Sequence, residues 1–492
     1  MSNNYVLNQH SITEPQQEIS ILDRADVVIG GGGVAGLGAA IASAREGVKT
    51  ILIETNGFLG GVATSNMMQA LCGCRGMSGI MEELVDRMNK KGGAPKWDYQ
   101  ERLEKMKDGY VNETITFDIE CFKETALEMC LEAGVVLYLY TRVCKPIVNN
   151  NTVVGVIVES KGGRQAILAE RVVDCTGDGD IAYRAGAPYS VGRDSDNKMR
   201  PFALLFRVGG LDVKKILEYV EQHPNEWQPQ HKNNHTHQIG DDSVINRLSG
   251  FFDLVNKAKA NNDLYEWIHY LRFEAVYIDK GIALCNTSRI YYLDGTNPQD
   301  LTKGEILGRN QINKIIKFIK KYLPGGENAF LIDVAPSIGV RETRRFVGEY
   351  FLTEEDVYSG KDFDDCFMTL ERKLPRYEDK DTLDIHPPVP IEGAPEDLYE
   401  RDQKKVLQVL QKLRFSYRML LPQKIDCLLF AGRTMSTTHT IESFSRLMPF
   451  CMRMGQVAGT AAAVSVREKV SPKELDFSLL KQALIRQGYT KF

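Results

Sequence analysis

A chain of 492 residues exceeds the usual size of one domain, so it is read as two. Its 43% hydrophobic and 26% charged residues are those of an ordinary globular protein, and a formal net charge of −4 excludes a nucleic-acid binder, which concentrates positive charge. No apolar stretch is long enough to cross a bilayer, the polar start lacks a signal-peptide core, and ten cysteines lie scattered without a paired framework, so a cytoplasmic protein with no membrane partner is expected.

Residues 1–19 read as a polar leader. From Asp26 the chain runs strand, glycine turn, alanine-rich helix and strand ("DVVIGGGG", "VAGLGAAIASARE", "GVKTILIE"), the opening βαβ unit of a Rossmann-type domain. A helix is predicted over 117–134 ("FDIECFKETALEMCLEAG") and a strand in "VVLYLYTRV". Two β runs then turn at Asn149–Asn151, where asparagine tolerates left-handed geometry, giving a hairpin or meander. From 196 the character changes. Residues 223–242 are polar and loop-like, and 311–323 place Ile312, Ile315, Ile316, Ile319 and Leu323 on one helical face with lysines opposite, a packed helix rather than a membrane-surface one. Residues 374–400 are proline-rich and read as a long connection, after which "IDCLLFAGR" and "MGQVAGTAAAVSV" return to Rossmann-like material. The expected fold is α/β, a three-layer Rossmann-type domain with a parallel sheet and a β-meander, built from 20–195 and 415–470. An α+β substrate domain is inserted at 196–414, and 471–492 form a helical tail.

The fingerprint is Gly31, Gly33 and Gly36: the first for the tight turn, the second for close approach to a pyrophosphate, the third for helix–strand packing. Gly32, Val34 and Ala35 fill out the loop, and Glu54 and Thr55 end the second strand where a carboxylate meets ribose hydroxyls. These alone do not separate NAD from FAD. Four later features favour FAD. Gly60 and Gly61, with Val62, Ala63 and Thr64, make a second close-approach loop suited to a longer diphosphate–ribityl arm. "RVVDCTGDGD" turns at Thr176, Gly177 and Asp178, and "CLLFAGR" ends at Gly432 and Arg433. "MGQVAG" (Gly455, Gln456, Val457, Ala458, Gly459) is read as opening a helix whose N-terminus faces the isoalloxazine N1–C2 carbonyl. Val143, at the start of the meander, completes the cofactor set.

With "ETNGFLGGVAT", "DCTGDGDIAYRAGAPY", "NTSRIYYLDGTNPQDLT", "GVRETRRFVGEYFLTEEDV" and "RLMPFCMRMGQVAGTAAA" in this order, the chain resembles the bacterial FAD-dependent oxidoreductases of the glutathione-reductase-like superfamily, loosely similar to fumarate reductase flavoproteins. The resemblance covers roughly 14–465 and implies bound FAD and a redox enzyme, with no particular substrate. Val34 stands where the family commonly has proline, and the charged stretch before "DIH" departs from the pattern. There is no second fingerprint for NADPH, and no histidine closely follows "GGVAT", so FAD is expected to be non-covalent.

Hydride transfer needs a proton-handling group and groups that orient substrate. His439 is the candidate acid–base residue and Arg446 the candidate clamp, against the plainer reading that Arg446 pairs with Glu442. The resemblance adds Asp384 and His386. Among Arg341, Arg344 and Arg345 at least two are expected in structural ion pairs. Asn286, Arg289, Arg207 and Tyr417 are further candidates to line the pocket. Cys72 and Cys74, one residue apart, read as packed thiols because a bond that short is strained. His231, His235 and His237 read as a polar loop, with no metal expected. The partners expected are a small-molecule substrate and an electron acceptor, oxygen or a carrier, and a homo-oligomer stays open. The rivals are a flavin monooxygenase and a flavoprotein whose FAD is structural or sensory.

Overall fold

The computed structural model describes residues 6–7, 10–14, 16–74, 77–96, 114–194, 196–226, 236–376, 407–490 and 492. The chain enters its main sheet through β1 (Ile21–Gly30), whose last four residues are fully buried, as a central parallel strand requires. Helix α1 (Val34–Arg45) follows, then β2 (Thr50–Ile53), α2 (Ile80–Lys90) and α3 (Ile119–Glu132). The predicted helix at 117–134 is α3, started by Asp118, whose carboxylate accepts the Cys121 N–H at 2.8 Å. The strands β3 (Val136–Tyr138), β4 (Arg142–Asn149), β5 (Thr152–Ser160) and β6 (Gly163–Asp174) complete this half, with the short α4 (Asp180–Arg184) behind them. The β4–β5 turn sits where the asparagines stand: Asn150 and Asn151 have φ of 47° and 63°.

The sheet runs β3-β2-β1-β6, all parallel, and continues antiparallel through β5 and β4. β6 is the hinge of this arrangement. Its first residues, Gly163–Leu168, pair antiparallel with β5, while Ala166–Asp174 lie parallel to β1.

The inserted region builds a second, antiparallel sheet from β7 (Phe206–Gly209), β8 (Thr236–Ile239), β9 (Asp242–Gly250), β10 (Leu271–Tyr277), β11 (Ile282–Cys285), α5 (Pro298–Tyr322) and β12 (Phe330–Val334). The order is β8-β9-β10-β11-β7-β12. α5 buries Ile312, Ile315 and Ile319 in a core separate from that of the first sheet, and leaves Lys317 and Lys320 exposed. It is longer than its amphipathic half, because Asn297 caps its start and Pro298 fits a first turn that needs no N–H. The polar stretch at 223–242 is not all loop. Its end, Thr236–Ile239, pairs with β9 through a turn at Gly240 and Asp241.

The return begins earlier than position 415. The ribbon Cys366–Arg376 with Leu407–Ser416 places Phe367, Met368, Leu370, Leu413 and Phe415 in the core of the first sheet. Then come β13 (Leu428–Phe430), parallel to the last three residues of β6, and helices α6 (His439–Ser445), α7 (Met448–Arg467) and α8 (Phe477–Arg486). The helical tail is also core, since Leu480, Leu484 and Tyr489 are buried in it.

Candidate functional site

Four loops from distant parts of the chain meet at the C-terminal ends of the parallel strands, where open α/β sheets bind ligands. The first is the glycine turn. Gly31 has φ +97°, and a Cβ there would lie 2.4 Å from the Cys175 carbonyl; a Cβ on Gly36 would lie 1.8 Å from the Gly31 carbonyl. Those two glycines are required by packing. Gly33 differs: its φ of −70° suits any residue, and the nearest atom to an added Cβ is Gly61 Cα at 3.8 Å. Gly33 caps α1, and no side chain bonds the first-turn N–H groups. An uncapped helix start with no side chain over it is what a pyrophosphate can approach closely.

The second loop leans on the first. Gly60 N–H donates to Gly32 O at 2.9 Å, and Gly60 and Gly61 have φ of +114° and +54°. Ala63 and Thr64 are buried beneath it, Thr64 Oγ1 donating to Leu59 O at 2.8 Å, whereas Val62 and Thr55 face outward. Glu54 is buried and accepts three hydrogen bonds, from the Gly32 N–H and the Asn56 N–H at 2.7 Å and from Asn56 Nδ2 at 2.8 Å. A carboxylate has about four acceptor sites, so capacity remains for one ribose hydroxyl. Val143 lies behind Gly30 at the head of β4.

The third and fourth loops are joined by one ion pair. Asp178 and Arg433, each read from sequence as an independent cofactor contact, bond each other; Arg433 also donates to Gly177 O at 2.6 Å and to Val340 O. Gly177 and Gly432 have φ of +84° and +104°, and a Cβ on Gly432 would lie 3.3 Å from Ala35 Cβ. Thr176 is turned inward, its hydroxyl donating to Asp174 at 2.7 Å. Asp174 is a residue the sequence reading missed. Fully buried, it accepts four hydrogen bonds, from Thr176 N–H and hydroxyl and from the N–H groups of Ile181 and Ala182 that begin α4. Burial raises its carboxyl above the usual range, partly offset by these donors.

Beside these loops lies a buried charge cluster. His439 Nδ1 donates to Glu342 Oε1 at 2.8 Å, and Glu342 also pairs with Arg345 and lies 3.8 Å from Arg200. Burial pushes Glu342 up, but His439, Arg345 and Arg200 outweigh it and hold the carboxyl below its ordinary value. An ionised carboxylate can only accept, so Nδ1 carries the proton and Nε2 carries the lone pair in the neutral ring. Glu442, one turn along α6, is pushed the other way by burial despite Arg446 and Arg200. Arg446 Nε stands 3.7 Å from Glu442 Oε2, and Arg200 donates to the His439 carbonyl at 2.7 Å. Glu342 and Arg200 carried no signal in sequence: their partner His439 is far along the chain and no local spacing links them.

Several expected residues are elsewhere. The helix read as opening at "MGQVAG" starts at Met448, with Pro449 in its first turn, so Gly455, Gln456, Val457, Ala458 and Gly459 are mid-helix and buried. Cβ atoms on Gly455 and Gly459 would lie 1.9 and 2.1 Å from the carbonyls of Ala35 and Ala39, and Gln456 Oε1 accepts the Ile80 N–H at 3.1 Å. These residues seat α7 on α1 and α2, and none of them is at the start of the helix, where the sequence pattern alone places them. Tyr417 is core, its hydroxyl donating to Pro472 O at 2.9 Å, and Arg207 is bonded to Asp333 across β7 and β12 at 2.9 Å. Arg344 pairs with Asp180 at 3.2 Å and Arg345 with Glu342, which leaves Arg341 as the arginine of that trio without an acidic partner among the described residues. Cys72 and Cys74 are thiols, Cys74 bonding Leu71 O at 3.0 Å. His231, His235, Asp384 and His386 lie outside the described residues. His237 stands in β8 opposite Val244.

Residues 26–484 match the model of a family described as FAD dependent oxidoreductase. Among solved structures, the chain is similar to GidA from Aquifex aeolicus (16% identity over 92% of this chain and 65% of that one, TM-score 0.47). It is similar also to a geranylgeranyl bacteriochlorophyll reductase-like protein from Thermoplasma acidophilum (13% identity, 95% and 84% covered, TM-score 0.44). A third is the L-amino acid deaminase of Proteus myxofaciens (12% identity, 95% of each chain, TM-score 0.40). No curated protein matches the chain.

Proposed function

The chain belongs to the FAD dependent oxidoreductase family, and from that premise we propose that it oxidises or reduces a small organic substrate by hydride transfer, with His439 handling the accompanying proton. Bound FAD supplies the two-electron hydride acceptor or donor at N5. The four converging loops suit it as a non-covalent cofactor: the uncapped start of α1 and the space at Gly33 for the diphosphate, Glu54 for the ribose, and the Gly177 and Gly432 turns further along.

The observation that carries the reading is the His439–Glu342 bond of 2.8 Å. A buried carboxylate bonded to Nδ1 fixes the ring's tautomer and orientation and stabilises the imidazolium that forms when Nε2 takes a proton. Oxidation of a C–H bond next to an O–H or N–H releases a hydride and a proton; the hydride leaves with two electrons and Nε2 accepts the proton. In reduction both travel in reverse. Arg345 and Arg200 keep Glu342 ionised, and Arg446, half-buried one turn from Glu442, orients the substrate. Oxygen or a carrier closes the cycle. No helix of the described residues is long and apolar enough to cross a membrane, and the cysteines are all thiols, which supports a cytoplasmic setting.

The test is anaerobic mixing of the FAD-loaded protein with candidate alcohols, amines, acids and unsaturated acceptors, following flavin absorbance. With a true substrate, His439→Gln lowers the rate of flavin reduction on the order of a hundredfold or more while FAD stays bound. An unchanged rate removes His439 from the reaction. An oxygenated product formed at the expense of NAD(P)H and oxygen replaces the hydride reading with a monooxygenase.

A further inference from the structure

Where the inserted domain meets the flavin loops, guanidinium groups outnumber carboxylates. Arg341 follows a loop tied to two of the cofactor loops: Ser337 N–H donates to Ser65 O at 3.1 Å, Asn66 Nδ2 to Ser337 O at 2.7 Å and to Ile338 O at 2.9 Å, and Arg433 to Val340 O. Arg341 is therefore held at the meeting of the Gly60–Ser65 and Gly432–Arg433 segments. Its own bond is to the Pro201 carbonyl.

The groups around it are also cations: its partner Pro201 follows Arg200, which shares Glu442 with Arg446, and precedes Phe202, whose N–H donates to the carbonyl of Ile290, next to Arg289, at 2.8 Å. Arg289 donates to the carbonyls of Asn286 and Ser288 at 3.1 and 2.7 Å. Arg272 shares the single carboxylate of Glu274 with Arg247. Arg446 shares Glu442 with Arg200, and its Nε is buried without a hydrogen bond. Burial and these neighbours push Arg341 down from its ordinary value. Tyr270, within hydrogen-bonding reach of Arg289 and Arg272, is pulled down to about 8, their charges outweighing its burial. A half-buried group of guanidinium charges with fewer carboxylates than cations is costly, and a bound anion relieves it.

We infer that Arg341, Arg289 and Arg446, with Tyr270 beside them, form the seat for the carboxylate of a small organic acid that is the substrate. This rests on the hydride-transfer reading and names its substrate class. A planar carboxylate matches guanidinium forks, and it anchors a carbon one or two bonds away for reaction. It also explains why three separate segments, the loop after β11, the loop after β12 and the end of α6, supply arginine where hydrogen bonding alone would be met by neutral side chains.

The experiment reads binding. FAD-loaded protein is titrated by calorimetry and by flavin absorbance with oxalate, malonate, succinate and benzoate, with acetamide and inorganic phosphate as comparisons. At least one carboxylate binds and acetamide does not. Arg341→Gln weakens that binding on the order of thirtyfold or more, Arg341→Lys restores part of it, and unfolding temperature and FAD content confirm that each variant is folded. Tyr270→Phe, which removes one hydroxyl, weakens it several-fold and decides the matter should Arg341→Gln not fold. The inference is overturned if no carboxylate binds, if phosphate binds more tightly than every carboxylate, or if the folded variants bind as the natural protein does. Because turnover is not measured, a failure here leaves hydride transfer with a neutral substrate standing.

Discussion

Glu342 and Glu442 share one buried cluster and carry opposite electrostatic burdens. Glu342 is held below its ordinary value by His439, Arg345 and Arg200, so its ionised form stabilises the fold. That stabilisation is complete above about pH 5 and is lost as pH falls through the lowered value. Glu342→Gln strands Arg345 and costs about 3–5 kcal/mol, a gap level from pH 8 to about pH 5 that narrows below. Glu442, pushed up by burial, destabilises the fold most at high pH, and that cost fades as pH falls through its raised value. Glu442→Gln, which also removes a partner of Arg200 and Arg446, is therefore expected to cost less than Glu342→Gln, with the difference largest at pH 8. Chemical denaturation of both variants across this range checks the pair; equal losses refute the division. A second residue-scale contrast separates packing from binding. Gly33→Ala leaves the cofactor-free protein within about 1 kcal/mol of its stability, since the added Cβ meets only an ordinary contact with Gly61, but weakens FAD about tenfold or more. Gly31→Ala damages the fold itself, because φ of +97° and the Cys175 carbonyl both exclude a side chain.

The decisive element contact is the crossing of α1 and α7. Gly455 and Gly459 share one face of α7, and Gly38 of α1 answers them, a Cβ there lying 2.3 Å from Met452 O. The two backbones touch because both helices are built of small residues. Gly455→Ala and Gly459→Ala are each expected to cost about 1–3 kcal/mol in thermal or denaturant unfolding. Only Gly455→Ala, against Ala35 in the first turn of α1, also weakens FAD binding; equal effects on FAD from both remove the distinction. This crossing marks where the sequence could be read and where it could not. β1, α1 and β2 were legible because periodicity and the glycine turn are local signals, as were the asparagines that turn β4 into β5. The start of α7 was not: Gly455 looks like a cofactor glycine until its facing helix, some 400 residues earlier, is known. The ribbon Cys366–Arg376 with Leu407–Ser416 was missed for the same reason, since a proline-rich composition says nothing of what the flanking strands pack against. The His439–Glu342 bond shows the limit most plainly, for a spacing across two folded regions has no period to detect.

At the scale of the molecule, the flavin half is one core made from both ends of the chain. Leu71, Phe122 and Leu37 lie in the same core as Phe415, Val457 and Leu484. A chain ending at residue 414 lacks β13 and α7 and so leaves β6 and α1 uncovered; it is expected to retain no FAD through gel filtration and to lose cooperative unfolding. A yellow, folded fragment refutes that dependence. For the complete chain, free FAD at a hundred times its dissociation constant raises unfolding free energy by about 2.7 kcal/mol, because the unfolded chain has no site.

β6 carries one more consequence, which concerns the order in which the protein is made. Val172–Asp174 finish β6 next to the glycine turn, and their second parallel neighbour, Leu428–Phe430, leaves the ribosome only after the whole inserted region has done so. Until then the newborn strand presents an open edge, and the nucleotide loop lacks the Gly432 turn that lies against Ala35. The entire inserted domain is synthesised, and can fold, during that wait. Cofactor capture thus waits on the inserted region by construction, and a message cut short anywhere before Leu428 yields colourless protein.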